Sequence, residues 1–280
     1  MDDFYLGIGA PRCGTTWLYA NLRAASDLYL PPVKELRFFS GVRSDEEKSR
    51  QIARDRAAPM TDPRDPAFYD AWEKTKDGET DAYRSLFPAE GKAGEISPIY
   101  CTLQRPRIAQ IRNLFPDRRL RVFFLLRNPY DRDLSHIVFT MHRNRQRTEV
   151  YDTAEYIDFL DRPRFVARSA YRAAVIDWQT ALRGPIEKFY YDDLKADPTA
   201  FFADFCARMD IAGDPGRIDT GLNNSSGSQN RYAVTLPDAV HRHLIARHRE
   251  NVAQMKFLPA ERRDAWLARI EEAAARYGMA

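Results

Sequence analysis

The stretch Tyr5-Leu6-Gly7-Ile8-Gly9-Ala10-Pro11-Arg12-Cys13-Gly14-Thr15-Thr16-Trp17-Leu18-Tyr19 joins a short apolar strand to a glycine-bearing loop and the start of an amphipathic helix. Gly9 and Gly14 flank four residues, a spacing at which backbone N–H groups and a helix N-terminus converge on phosphate oxygens. The loop reads as a phosphate cradle. Glycines also serve plain tight turns, but the strand before this loop, its Arg and the two Thr after Gly14 favour a ligand.

A Walker-type P-loop would carry Lys at position 15, to reach the β/γ-phosphates, and Ser or Thr at 16 to hold Mg²⁺. Here Thr15 and Thr16 occupy both places and Arg12 is the only basic side chain of the loop. Such a cradle suits a phosphate-like leaving group neutralised by protein rather than by a metal. Pro11-Arg12-Cys13-Gly14-Thr15-Thr16-Trp17-Leu18 resembles the 5′-phosphosulfate loop, P-[K/R]-x-G-T-T-x-[LW], of sulfotransferases that use 3′-phosphoadenylyl sulfate (PAPS). The resemblance implies that Arg12, Cys13, Gly14, Thr15, Thr16 and Trp17 bind the donor, with Arg12 also neutralising charge on the bridging oxygen. Cys13 lies where loop N–H dipoles are expected to lower a thiol pKa.

The chain's 280 residues are enough for a well-buried core, and one domain, 1–280, is expected. Lys and Arg number 43 against 40 Asp and Glu, a net charge of +3. That balance announces neither nucleic acid nor a membrane surface, so any anion site must be local. Cys13, Cys101 and Cys206 form neither a disulfide set nor a metal-binding pair, and no metal is expected. No segment approaches the ~18 apolar residues of a membrane span, and the N-terminus lacks a basic flank, so a cytoplasmic enzyme is expected.

After the first helix, Lys34-Glu35-Leu36-Arg37-Phe38-Phe39 interrupts an apolar run with charge. It looks like the Lys-Glu-x-x-Phe-Phe element that supplies the catalytic carboxylate in glycan-type and bacterial sulfotransferases. On that resemblance Glu35 takes the proton of the attacking acceptor; the residues alone favour a surface ion pair with Lys34 or Arg37. Residues 41–92 read as helical pieces carrying Phe68, Tyr69, Trp72, Tyr83 and Phe87, treated as a substrate-side insertion although such spacing also suits core. Gly94-Glu95-Ile96-Ser97-Pro98-Ile99-Tyr100 is similar to the family's Glu-Lys-[ST]-Pro-x-Tyr segment. Glu95 is a second candidate carboxylate, for proton transfer or for holding Arg12 or another basic group in place.

Leu120–Leu126 is the clearest strand, apolar enough for the centre of a parallel sheet. It ends in Arg127-Asn128-Pro129-Tyr130-Asp131-Arg132-Asp133-Leu134-Ser135, which resembles the family's 3′-phosphate element, R-[ND]-P-x-x-R-x-x-S. Arg127 and Ser135 are the residues so implied. His136 and His142 on the same helix read as packing or surface groups. The strand Ile186–Leu194 ends in acids, and Asp192 is the residue a Walker B reading would choose. The polar loop 223–232 loosely resembles the family's late loop over the donor's 3′-phosphate, without the Arg-Lys-Gly signature of cytosolic members, and that resemblance implies Gln229, Asn230 and Arg231 as its contacts; a linker is the other reading.

These elements imply an α/β domain of P-loop type, a mostly parallel sheet flanked by helices on both faces. The resemblance implies PAPS as donor, adenosine 3′,5′-bisphosphate as product and a small-molecule or glycan acceptor. Two other readings stay open: an Mg-ATP-dependent kinase of a small substrate, and a non-catalytic nucleotide-binding protein.

Overall fold

The computed structural model describes residues 2–40, 45–56, 65–75, 79–143, 151–221 and 235–279. The sheet has β1 (Asp2–Gly7), β2 (Ala93–Ile96), β3 (Arg118–Leu126) and β4 (Glu187–Tyr190) in the order β2-β1-β3-β4. Every pairing is parallel, with Tyr5 opposite Gly94, Leu6 opposite Val122 and Leu125 opposite Phe189. The C-terminal half of β3, Val122–Leu126, is wholly buried. That is the continuous apolar signature of a strand covered on both sides.

The chain runs from β1 outward to β2, then returns to β3 on the other side of β1. The order therefore reverses between β1 and β3, and in open parallel sheets the crevice at such a reversal is where ligands bind. The helices between and after the strands are α1 (Thr15–Ala25), α2 (Asp45–Arg56), α3 (Asp65–Lys74), α4 (Thr80–Arg84), α5 (Arg105–Arg112) and α6 (Pro129–Val138). They continue with α7 (Thr153–Asp161), α8 (Pro163–Val166), α9 (Tyr171–Leu182), α10 (Tyr191–Ala196) and α11 (Pro198–Met209). Two longer helices follow, α12 (Asp238–Ala253) and α13 (Ala260–Arg276).

Phe123 and Phe124 are consecutive on β3 and so point to opposite faces. The Phe123 ring meets Phe205 of α11 at 5.0 Å between centroids, while that of Phe124 meets Tyr171 of α9 at 5.7 Å. Helices therefore cover both faces of the sheet, as the sequence pattern anticipates. Trp17 of α1 packs on Phe201 and Phe202, placing α1 on the α11 side.

The aromatics of 41–92 go into the core: Phe68, Tyr69, Trp72, Tyr83 and Phe87 are all buried. Tyr83 and Phe87 pack with Phe4 and Phe115 beneath the β1–β2 edge. Helical spacing brought them together for packing, the plainer of the two readings of that segment. Among the described residues, no helix is long and apolar enough to cross a membrane.

Gly94 sets how closely β2 approaches β1, since a Cβ there would lie 2.2 Å from the Tyr5 carbonyl oxygen and 2.8 Å from its Cβ. Neither backbone can yield cheaply. Gly94→Ala is expected to destabilise the fold by about 1–3 kcal/mol, a fall of roughly 5 °C in melting temperature for a chain of this size. Calorimetry of the variant checks this; an unchanged melting temperature would show that the strands part without cost.

Candidate active site

The loop after β1 is stitched to β3 beyond the end of the strand. Ile8 N–H donates to the Phe123 carbonyl (3.0 Å), Ala10 N–H to Leu125 (2.7 Å), and Leu125 N–H back to Gly9 (2.8 Å). Gly9 has φ 145°, Arg12 φ 72° and Gly14 φ 86°. Arg12 and Gly14, left-handed on either side of Cys13, give the kind of alternation by which successive N–H groups can face one concavity and hold an anion. Arg12 holds this conformation despite its Cβ, a strain that clusters at binding loops. At Gly14, a Cβ would also meet Leu194 at 2.5 Å.

The α1 N-terminus follows directly. Gly14 provides no side-chain cap, the first turn has no acid, and Leu18 N–H makes the first helical bond, to the Gly14 carbonyl. The N–H groups ahead of it lack intrahelical acceptors, so the helix end presents donors and positive dipole charge to the loop.

Three residues far apart in sequence meet here. Arg12 Nε donates to Ser135 Oγ (3.1 Å), and Arg127 Nη1 donates to the Arg12 carbonyl (3.3 Å). The Arg12 guanidinium lies over Phe139 at 4.4 Å and that of Arg127 over Tyr191 at 4.6 Å. Asn128 caps α6 by accepting the Tyr130 N–H, and Pro129 opens the helix, so Arg127-Asn128-Pro129 aims the arginine and starts the Ser135 helix in one turn. The motif's other arginine, Arg132, is fully buried and pairs with Asp133 beside Ser169.

A cleft of about 770 Å³ opens in front of the loop, lined by Arg12, Thr15 and Thr16, by Lys34, Glu35 and Arg37, and by Ile99, Thr102 and Leu103. His136, Phe139, Arg164 and Arg168 complete the wall. Arg12, Lys34, Arg37, Arg164 and Arg168 give it positive character against one acid, Glu35. Phe139 and Thr140 belong to a π-helical turn, Phe139–Arg143, which continues α6 and tilts both side chains into the cleft.

Glu35 is held from both sides: Lys34 Nζ lies 3.2 Å from Oε1, and Arg37 Nε donates to Oε2 at 2.9 Å. Burial alone would raise its pKa, but Lys34 and Arg37 outweigh burial and keep the carboxyl below the usual carboxylate range. The ion pair and the cleft position thus coexist. Glu95, by contrast, is buried beneath the cleft floor. It accepts from Tyr83 Oη (2.6 Å) and Ser97 Oγ (2.9 Å) and contacts neither the cleft nor Arg12. Burial raises its pKa despite hydrogen bonds from Tyr83, Tyr100, Ser97 and the Leu36 backbone. Ser97 Oγ accepts the Arg37 N–H at 3.1 Å and Tyr100 Oη the Phe39 N–H at 3.3 Å. This buried set therefore supports the segment that presents Glu35, and Glu95 lies within it, away from the cleft lining.

Two loop side chains turn away from the cleft into the core. Cys13 is fully buried against Tyr171, and burial pushes its thiol up to about 11, the reverse of a dipole-activated cysteine. Trp17 is turned into the core and donates to the Asp219 carbonyl at 2.9 Å, leaving only its backbone facing the helix end. Asp192 accepts from Trp266 Nε1 at 2.8 Å and lies 3.5 Å from Arg262, so the acid of the kinase reading is committed elsewhere. His136, read from sequence as packing, lines the cleft as well as stacking on Phe165. Gln229, Asn230 and Arg231 lie outside the described residues, as does the side chain of His142.

Because the folded pKa of Glu35 lies below its ordinary value of 4.5, its ion pairs stabilise the fold above about that pH. The contribution is lost as pH falls through the folded value. Carboxyl NMR of labelled glutamate is expected to show Glu35 titrating below 4.5, and Lys34→Met is expected to raise its midpoint. An unshifted midpoint in the variant would show that Lys34 does not govern the charge of Glu35.

A sulfotransferase family model matches residues 6–215. No curated protein sequence gives a significant match. Among solved structures, a sulfotransferase from Alicyclobacillus acidocaldarius superposes with a TM-score of 0.58 over 91% of this chain and 94% of that one, at 22% identity. That likeness is one of fold, including the parallel sheet and its helical layers. The family match spans the Gly9–Gly14 loop, the Glu35 segment, Arg127 and Ser135, and on it the chain belongs to the sulfotransferase family.

Proposed function

We propose that the protein transfers a sulfuryl group from PAPS to a hydroxyl or amine of a small-molecule or glycan acceptor, leaving adenosine 3′,5′-bisphosphate. The observation that carries this reading is the shared cleft, in which the loop residues Arg12, Thr15 and Thr16 and the carboxylate of Glu35 line one space. A cradle without a carboxylate would suggest binding alone, and a carboxylate without a cradle would suggest an ion pair.

The residues fit a phosphosulfate donor. The loop N–H groups with Thr15 and Thr16 would hold its 5′-phosphate, Arg127 and Ser135 its 3′-phosphate, and residues 229–231 would cover the latter. When bound, the donor supplies an activated sulfuryl group. Glu35 takes the acceptor proton as the acceptor oxygen attacks, and Arg12 meets the charge that develops on the departing phosphate oxygen. A carboxylate of depressed pKa is a weak base, so proton transfer is expected late, when bonding to sulfur has already acidified the hydroxyl. Such a base is ionised throughout the neutral range. The remaining contribution is positioning, which the braced Glu35 segment and the loop bonded to β3 supply.

Glu35→Gln tests the assignment because it is nearly isosteric and keeps a hydrogen-bond acceptor. With ³⁵S-labelled PAPS and a pool of hydroxylated small molecules and glycans, the variant is expected to transfer label about 10²–10⁴-fold more slowly. Its affinity for adenosine 3′,5′-bisphosphate should match the wild type. Equal transfer rates would reduce Glu35 to a structural ion pair.

A further inference from the structure

Arg168 belongs to the short 3₁₀ turn Ala167–Ser169 and lines the cleft that holds Glu35. Most cleft cations have defined work: Lys34 and Arg37 pair with Glu35, and Arg12 is bonded to Ser135. Arg168 has no carboxylate partner among the described residues. Its Nε is buried without any hydrogen-bond partner, and its Nη1 faces His136 Nε2 at 2.7 Å. Buried guanidinium donors left unmade are uncommon and call for an explanation.

The histidine does not resolve the matter. Its other ring nitrogen, Nδ1, faces Arg132 Nη1 at 3.0 Å, so guanidinium donors meet both ends of the ring. A neutral imidazole has one acceptor nitrogen, and burial with two flanking arginines keeps His136 neutral by driving its pKa well below the usual value. One of the two contacts therefore lacks an acceptor. Arg132 is already satisfied through Asp133 and Ser169, whereas Arg168 is not. Burial and the neighbouring Arg132 charge depress the Arg168 pKa, as expected for a cation lacking its counter-ion.

The turn that carries Arg168 is nevertheless anchored through its neighbour. The adjacent Ser169 accepts from Arg132 Nε at 2.7 Å and donates to Asp133, which also meets His248 Nε2 at 2.8 Å. A cation so anchored and left open to a cleft is preorganised for an anion that arrives with a ligand. Arg164, one helical turn earlier on the same wall, is exposed and adds a second positive charge.

We propose that the acceptor carries an anionic group, a carboxylate or a phosphate- or sulfate-type oxyanion, and that Arg168 receives it while Glu35 takes the proton of the hydroxyl. This rests on the sulfuryl-transfer reading and narrows its substrate class. The same guanidinium chemistry would serve the donor's own sulfuryl oxygens. However, the loop, Arg12 and the α1 N-terminus already supply donors for that end, whereas the Ala167–Ser169 turn packs against the Pro98–Thr102 turn, whose Ile99 and Thr102 also line the cleft.

Inorganic phosphate is a suitable probe, added at constant ionic strength to protein saturated with adenosine 3′,5′-bisphosphate and followed by calorimetry. A saturable second event is expected, weakened about tenfold or more in Arg168→Gln, with bisphosphate affinity unchanged. If Arg168→Gln does not fold, Arg168→Lys keeps the charge but not the fork and is expected to weaken the event less. Equal phosphate affinity in the folded variant, or no saturable event in the wild type, overturns the proposal. The ratio of PAPS to bisphosphate affinity is expected to be the same in both proteins. A lower ratio in the variant would assign Arg168 to the donor and overturn the acceptor assignment. If bisphosphate fails to bind the wild type, the donor reading falls separately, and phosphate titration of the unloaded proteins then decides the role of Arg168.

Discussion

Three backbone hydrogen bonds carry the sheet ladder past the end of β1 into the glycine-bearing loop: Ile8 to Phe123, Ala10 to Leu125 and Leu125 to Gly9. The loop is thus an extension of the most buried strand rather than an excursion over the surface. Its left-handed residues, Arg12 and Gly14, are strained or glycine-dependent positions that a mobile loop would not maintain. The same constraint sets the register of Arg127, whose guanidinium reaches the Arg12 carbonyl from the end of β3. A parallel sheet that reverses order between these strands places both elements at one crevice, so topology and chemistry share one cause.

The site's second half depends on a different device. Glu95, Ser97, Tyr83 and Tyr100 form a buried hydrogen-bonded set whose acceptors take backbone N–H groups of 36–39. Polar groups in a core are tolerated when all are satisfied, and such networks specify a unique arrangement. Here the arrangement presents Glu35 to the cleft with Lys34 and Arg37 already in contact. The two halves are joined through Ser97, whose N–H donates to the Gly7 carbonyl at the end of β1.

Much of this was legible in the sequence, for identifiable reasons. The loop's glycine spacing, the apolar run of β3 and the Arg127 to Ser135 element are local patterns, and local patterns survive folding. A motif names positions but not side-chain directions: Cys13 and Trp17 belong to the loop and helix start by backbone while their side chains enter the core, and burial reverses the thiol activation expected of Cys13. For Glu95 the sequence offered a holding role but with a basic partner; its actual partners, Tyr83 of the Thr80–Arg84 helix and Ser97 of the turn after β2, are neutral hydroxyls brought in by tertiary packing. Arg168 had no sequence signal. It stands out only through a missing partner, which is a property of three-dimensional surroundings.

Whether the cradle serves a bisphosphorylated adenosine is decided most directly by thermal stabilisation, because a ligand that binds only the folded chain raises its melting temperature. Adenosine 3′,5′-bisphosphate, AMP and Mg·ATP should be compared at equal concentration. A shift selective for the bisphosphate, abolished in Arg127→Ala, is the result expected. Stabilisation by Mg·ATP with none from the bisphosphate would contradict it.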